Sequence, residues 1–411
     1  MKNTSHMPLN GPQRFQAYLG PLFFLTGIFF LNFLVRIIPA PLLPAIEADL
    51  GVSHAQAGSL FFFISVGYFL TLLCSGFLSS KIKHKSTIVL SAVTLGLAMG
   101  CVVLSWNLWS LRGGLFLVGM TAGLYLPSAI VTLTALVHTR HWGKALAIHE
   151  LAPNLGFIAA PLISEALLGL FSWRGILACL GGASVAIGLA YARFGGGGRF
   201  PGQAPNAASF KILFGEPAFW TMMALFGLGI GGTLGVYTML PLYLITVHGM
   251  ERHVANTLIG VSRISGPFMV FFAGWANDRM GPKHTLALVF LFTGSATVLL
   301  GVLSGYGITM MVFIQPILAC CFSPPGFAAL SAVGPKETRN VAVSLTIPMA
   351  FITGGGLIPG AIGFMGDSGI FSLGFVGLGV LIFMGFLPAL LLRPPEGKVE
   401  SDGSASKTDR G

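Results

Sequence analysis

Gly274-Trp275-Ala276-Asn277-Asp278-Arg279-Met280-Gly281, followed by Pro282-Lys283-His284, is a polar break between two long apolar runs. An acid, two bases and two glycines are packed into a chain that is otherwise poor in charge. Of its 411 residues 54% are hydrophobic and 9% are charged, against about 25% charged in soluble proteins. A soluble enzyme is excluded by that composition, and the break reads as a short turn between two membrane-spanning helices. The 56 glycines agree, because Gly is more frequent in membrane helices than in soluble ones.

Working outward from the break, hydropathy predicts spans near 17–41, 54–79, 86–106, 109–137, 144–167 and 171–193, then near 215–247, 254–276, 285–304, 306–332, 341–365 and 369–392. The first run is too long for a signal-peptide core and is read as a retained span. The fold class is therefore all-α integral membrane, with twelve transmembrane helices. With the termini on one side, 18 of the 23 Lys and Arg fall on that side, Arg174 and Arg252 fall on the other, and Arg36, Arg112 and Arg263 lie within spans. The positive-inside rule then predicts that both termini are cytoplasmic, in a multi-pass protein of a bacterial inner membrane. The net charge of +10 follows from this asymmetry and calls for no nucleic acid; the partners expected are the lipid bilayer and a small-molecule substrate, with the chain acting as a monomer. All five cysteines fall inside predicted spans without a metal-binding pattern, and are read as buried thiols with no metal and no cofactor.

A Gly- and Pro-rich stretch divides the chain into an N-terminal tail (1–16), a six-helix bundle (17–193), a flexible cytoplasmic linker (194–214), a second six-helix bundle (215–392) and a C-terminal tail (393–411). Landmarks recur at one offset: Gly51 with Gly249, Gly76 with Gly274, Pro127 with Pro325, and Pro161 with Pro359, each 198 apart. A six-helix unit repeated in the same orientation is the parallel internal repeat whose substrate binds at mid-membrane between two rocking bundles.

The G-x-x-x-D-R-x-G pattern of the opening stretch resembles the loop motif of the major facilitator superfamily. Its first-half copy, Gly76-Phe77-Leu78-Ser79-Ser80-Lys81, keeps the glycine but replaces the acid with Ser80. Gly76 and Gly274 are expected to let helices approach closely, with Asp278 and Arg279 pairing and separating as a gate. Arg140 to Pro161 and Ser172-Trp173-Arg174 resemble the span 4 to span 6 region of the same superfamily. The drug antiporters of that family favour a glycine pattern in span 5 that here becomes Ala160-Pro161 and Ser164-Glu165. In span 4 the expected Arg falls on Leu115, with Arg112 one turn earlier and read as an interfacial or pore-mouth residue.

Arg36 lies eight residues before Pro44, a spacing at which the superfamily's organic-anion branches place a substrate-binding Arg. By helix rise Arg36 and Arg263 both come to mid-depth, where a charge costs about 2.5–3.5 kcal/mol and marks a pathway or a partner. The other ionisable groups predicted deep in the spans are His149 and Glu150. Asn32, Tyr125 and Asn154 are placed to orient a polar substrate. Together these residues predict a secondary transporter of a small organic anion, a carboxylate, working by alternating access. Arg36 and Arg263 would hold the anion, and Glu150 or His149 would carry a coupling proton. The alternatives are an efflux antiporter for apolar or cationic compounds and a non-transporting sensor on the same fold.

Several patterns carry no chemistry. His149-Glu150-Leu151-Ala152-Pro153 has proline where a zinc hydrolase needs its second histidine. Gly227, Gly229 and Gly232 sit in an apolar span with no strand before them. No nucleotide-binding G-x-x-x-x-G-K-[ST] is present, so the chain has no ATP-driven engine and is not read as an enzyme.

Overall fold

The computed structural model describes residues 15–202, 214–333 and 339–392. The predicted tails therefore lie outside the described residues except for 15 and 16, and so does 203–213 of the predicted linker. The described residues are all-α, and eleven helical stretches among them are long and apolar enough to cross a membrane. One of these, Arg252–Val302, is two helices merged across Gly281, whose φ of 78° and ψ of 162° interrupt it. The spans are α1 (Leu19–Leu50), α2 (His54–Ile82), α3 (His84–Val103), α4 (Leu108–Leu136), α5 (Thr139–Leu168) and α6 (Trp173–Phe194). The second set is α7 (Pro217–Thr246), α8 (252–280), α9 (282–302), α10 (Tyr306–Leu330), α11 (Ala342–Asp367) and α12 (Phe371–Leu391).

The repeat is written into the backbone. Gly51 and Gly249 both end a span in the left-handed region, at φ 61° and 62°. Lys83, between α2 and α3, takes φ 72° and ψ 157°, nearly the geometry of Gly281 at the equivalent place in the second half. A non-glycine residue rarely adopts such a backbone, so the turn is imposed by the architecture rather than by residue type.

Two expectations change. The first span runs nine residues further than predicted, to Leu50, with a break at Ile38 and with Pro39, Pro41 and Pro44 beyond it. Prolines are tolerated in a membrane helix because neighbouring groups satisfy the freed carbonyls. The cysteines are not uniformly buried: Cys74, Cys101 and Cys179 are exposed on the outer surface of the bundles, and only Cys321 is buried. In an apolar solvent a thiol on the lipid-facing side costs little.

Within each bundle the main packing is α2 on α4 and α3 on α6, and in the second half α9 on α12. Between bundles the chain touches along three seams: α1 with α7, α2 with α11, and α5 with α8. The last two are related by the repeat. They close at the end of the molecule opposite the termini, called distal below. A Cβ on Gly58 would strike the Pro359 carbonyl, and one on Gly363 the His54 carbonyl, so α2 and α11 meet backbone to backbone. Asp367, at the end of α11, caps the start of α2: its carboxylate accepts from Ser53 Oγ (2.6 Å) and from the backbone N–H groups of His54 (2.7 Å) and Ala55 (3.1 Å). In the equivalent seam Glu165 of α5 accepts from Asn256 (3.1 Å) and Arg252 (3.3 Å) of α8.

The described start of the linker is not free. Residues 195–202 lie along the α2–α3 turn, with Lys85 N–H donating to Gly198 O (2.7 Å), His84 N–H to Phe200 O (3.2 Å) and Gly202 N–H to Ser79 O (3.0 Å). The peptide groups of a Gly-rich strand can pair with an open turn, which composition alone does not reveal.

Candidate functional site

Arg36 sits two residues before the break in α1, buried although charged. Its guanidinium lies over the rings of Tyr68 (4.3 Å), Phe33 (5.1 Å) and Phe351 (5.7 Å), and its Nε donates to the Asn32 carbonyl (3.3 Å). Those rings come from α1, α2 and α11, so the cage spans both bundles. The cavity inside it also touches Leu234 and Gly355, beside the π-helical turns Gly231–Gly235 and Thr353–Leu357. Such widened turns are frequent at functional sites, and here they set glycine against glycine where α7 and α11 cross. The cavity measures about 20 Å³, enough for one water molecule and too little for a carboxylic acid unless side chains move.

Arg263 occupies the break in α8 between Ser262 and Gly266. It is buried over Phe157 (5.1 Å) and Tyr237 (5.0 Å), and its Nε and Nη2 have no hydrogen-bond partner among the described residues. Phe157 of α5 packs edge-on against both Phe33 (5.1 Å) and Tyr237 (4.8 Å). One aromatic wall, Phe33-Phe157-Tyr237, thus runs from the first arginine to the second across the bundle interface. Among the described residues neither guanidinium forms an ion pair with a carboxylate. A buried cation without a counter-ion is costly, and cation–π contact offsets only about 2 kcal/mol when desolvated.

The proposed orienting residues do not gather around this wall. Asn32 is buried with its amide donating to the Ala122 carbonyl of α4 (3.1 Å), which makes it a tie between two helices. Tyr125 is fully buried away from the cavity, its hydroxyl donating to Leu25 O (2.6 Å) and lying 3.1 Å from His149 Nε2. In this structure its single polar atom is engaged inside the first bundle. Asn154 donates to the Glu150 carbonyl (2.9 Å) and lies near Gly266, at the α5–α8 seam. His149 is fully buried, with the Phe29 ring stacked on it (4.5 Å) and the Tyr125 hydroxyl at its edge, whereas the adjacent Glu150 side chain is 58% exposed where α5 breaks. Glu150 is close enough for its charge to reach Tyr68 and Tyr125.

The loop motif also reads differently in space. A Cβ on Gly274 would meet nothing within 4 Å, so the expected close approach is not made in this conformation. Asp278 and Arg279 are exposed, and Arg279 lies over Trp275 (4.8 Å) with no ion pair to Asp278. Arg112 donates to Ser59 (2.7 Å) and stacks on Trp109 (4.8 Å) near the distal end. Sequence reading missed the aromatic wall. Its one signal was the scarcity of tyrosine, 7 in 411 residues, with Tyr68 and Tyr237 both in mid-span.

Comparison with known proteins agrees with this architecture. A multidrug efflux protein, YfmO of Bacillus subtilis (strain 168), is 24% identical over 86% of this chain and 88% of its own length. The cis,cis-muconate transport protein of Acinetobacter baylyi is 22% identical over 85% and 88%. The 4-hydroxybenzoate transporter PcaK of Pseudomonas aeruginosa is 24% identical over 61% and 64%. In fold, the chain is similar to a bacterial homolog of the human lysosomal transporter Spinster, in an inward-facing and occupied conformation, with TM-score 0.80, 17% identity and coverage of 93% of this chain and 97% of that one. A D-xylose-proton symporter aligns with TM-score 0.74 at 13% identity over 92% and 98%. These relatives are transporters and not enzymes. With the family model matching residues 25–318, the chain is a member of the Major Facilitator Superfamily.

Proposed function

We propose that this transporter carries a small organic anion, a carboxylate on a flat aromatic or unsaturated frame, by alternating access coupled to protons. The observation that supports it is the aromatic wall ending in two buried guanidiniums that lack a carboxylate partner. A guanidinium grips a carboxylate with two parallel hydrogen bonds, and the rings offer stacking faces for the frame. Relatives named for 4-hydroxybenzoate and cis,cis-muconate point to the same chemistry. Arg36 is the primary anion ligand and Arg263 the second, while Glu150 with His149 carries the proton. The chain works as a monomer in a bacterial inner membrane with cytoplasmic termini. Asp278 and Arg279 pair across the cytoplasmic gate when the distal end opens.

The efflux reading draws on the YfmO relative and on the same rings, which would equally receive an apolar compound. Calorimetry on the purified protein separates the two. Binding of 4-hydroxybenzoate or cis,cis-muconate, with no binding of tetraphenylphosphonium, is expected. Binding of the lipophilic cation alone would replace the anion reading with efflux.

A further inference from the structure

We infer that His149 and Glu150 form a single proton site, and that Tyr125 decides which imidazole nitrogen receives the proton. This deepens the proton-coupled reading and rests on it. The inference starts from one phenolic hydrogen. Tyr125 Oη lies 2.6 Å from the Leu25 carbonyl and 3.1 Å from His149 Nε2. A carbonyl oxygen only accepts, so the hydroxyl donates to Leu25. Toward His149 the same oxygen must accept, and Nε2 must carry the hydrogen. A neutral imidazole with hydrogen on Nε2 has a bare Nδ1. That nitrogen is buried without a hydrogen-bond partner among the described residues and sits 3.8 Å from Glu150 Oε1.

A bare nitrogen close to a carboxylate is an unfavourable contact, and one proton on Nδ1 turns it into an ion pair at 3.8 Å. One N–H bond forms, nothing breaks, and the pair passes from net negative to neutral. The ring cannot swing away, because Phe29 stacks on it at 4.5 Å and 10°. The groups facing the pair are few. From α1 come Phe29 and the Leu25 carbonyl, from α4 Tyr125, and from α6 Tyr191 beyond it; Tyr68 of α2, under Arg36, lies within reach of the Glu150 charge. The carboxylate is the exposed member of the pair, and the fully buried imidazole stores the proton behind it. Protonation also removes a negative charge near the Arg36 cage, which leaves that guanidinium's field to an incoming anion. Proton and anion binding therefore favour each other, the sign a symporter needs.

Nitrogen NMR on 15N-histidine protein reconstituted in lipid, with the His149 signal assigned by its loss in His149→Gln, tests the site without any substrate. At alkaline pH the expected signal is the Nε2–H tautomer, which gains hydrogen on Nδ1 on acidification. In Glu150→Gln that gain is expected to disappear over the same pH interval, and in Tyr125→Phe the two tautomers should mix. An Nδ1–H tautomer at alkaline pH, or a Glu150→Gln titration that superposes on the wild type, overturns the proposal. In proteoliposomes the ratio of pH-driven accumulation to exchange of 4-hydroxybenzoate should fall at least tenfold in Glu150→Gln, and an unchanged ratio overturns it as the coupling site. Failure of the wild type to carry 4-hydroxybenzoate counts against the substrate reading, and the NMR result then decides the proton site by itself.

Discussion

Arginine and lysine differ most where a planar cation is clamped between rings, and Arg36 lies over three of them. Lysine would keep the charge but lose the planar contact and the paired donors. Arg36→Lys and Arg263→Lys are each expected to weaken 4-hydroxybenzoate binding at least tenfold, about 1.4 kcal/mol, measured by calorimetry on folded protein. If both Lys variants and both Ala variants bind like wild type, the arginines serve packing alone. Asn32 should behave in the opposite way, because its amide is committed to the Ala122 carbonyl. Asn32→Leu is expected to lower stability by roughly 0.6 kcal/mol, typical of a hydrogen bond between membrane helices, with affinity unchanged. A drop in affinity at unchanged thermal midpoint would return Asn32 to the substrate site.

Helices meet in this molecule where side chains are absent or where an end is capped, and the α2–α11 seam shows both. Gly58 and Gly363 permit backbone contact, and Asp367 closes the end by binding the first turn of α2. A carboxylate at a helix N-terminus contributes about 0.3–1 kcal/mol when exposed, which can be broken and remade in a transport cycle. Gly363→Leu cannot be accommodated against the His54 carbonyl and should hold the distal end apart; Asp367→Asn should loosen it less. Spin labels at Leu104 and Tyr306, on the distal surfaces of the two bundles, should report a longer mean distance in both variants, with the larger change in Gly363→Leu. Identical distance distributions in all three proteins would show that the seam does not control opening.

Taken whole, the molecule is two six-helix bundles joined along three seams, and its orientation is a matter of charge rather than shape. Arg199 is exposed on the terminal side and Tyr306 is 93% exposed at the distal end. With the native cysteines replaced, Arg199→Cys should react with an impermeant thiol reagent only after the membrane is opened, whereas Tyr306→Cys should react in intact cells. The reverse pattern would invert the assignment of both termini. Gly202 is unsuited to this labelling, because a side chain there would collide with Ser79 and with the His84 ring.

Period, composition and spacing act locally, and what they can specify is local. The sequence by itself determined that the chain lies in a membrane, where its spans begin within a few residues, that it repeats at an offset of 198, and that Arg36 and Arg263 fall within spans. Each of these follows from the cost of exposing backbone and charge to lipid, which every residue meets regardless of its neighbours. The residues that surround those arginines were decided elsewhere. Phe157 and Phe33 are far apart in the chain and nothing in either segment announces the other; only the packing of α1 on α5 within the first bundle brings them to 5.1 Å. The same is true of Tyr125, whose depth was legible but whose direction was not. A helix position fixes how far a side chain is from the membrane surface, while the packing of neighbouring helices fixes which way it faces, and here that set the Tyr125 hydroxyl against Leu25 and His149.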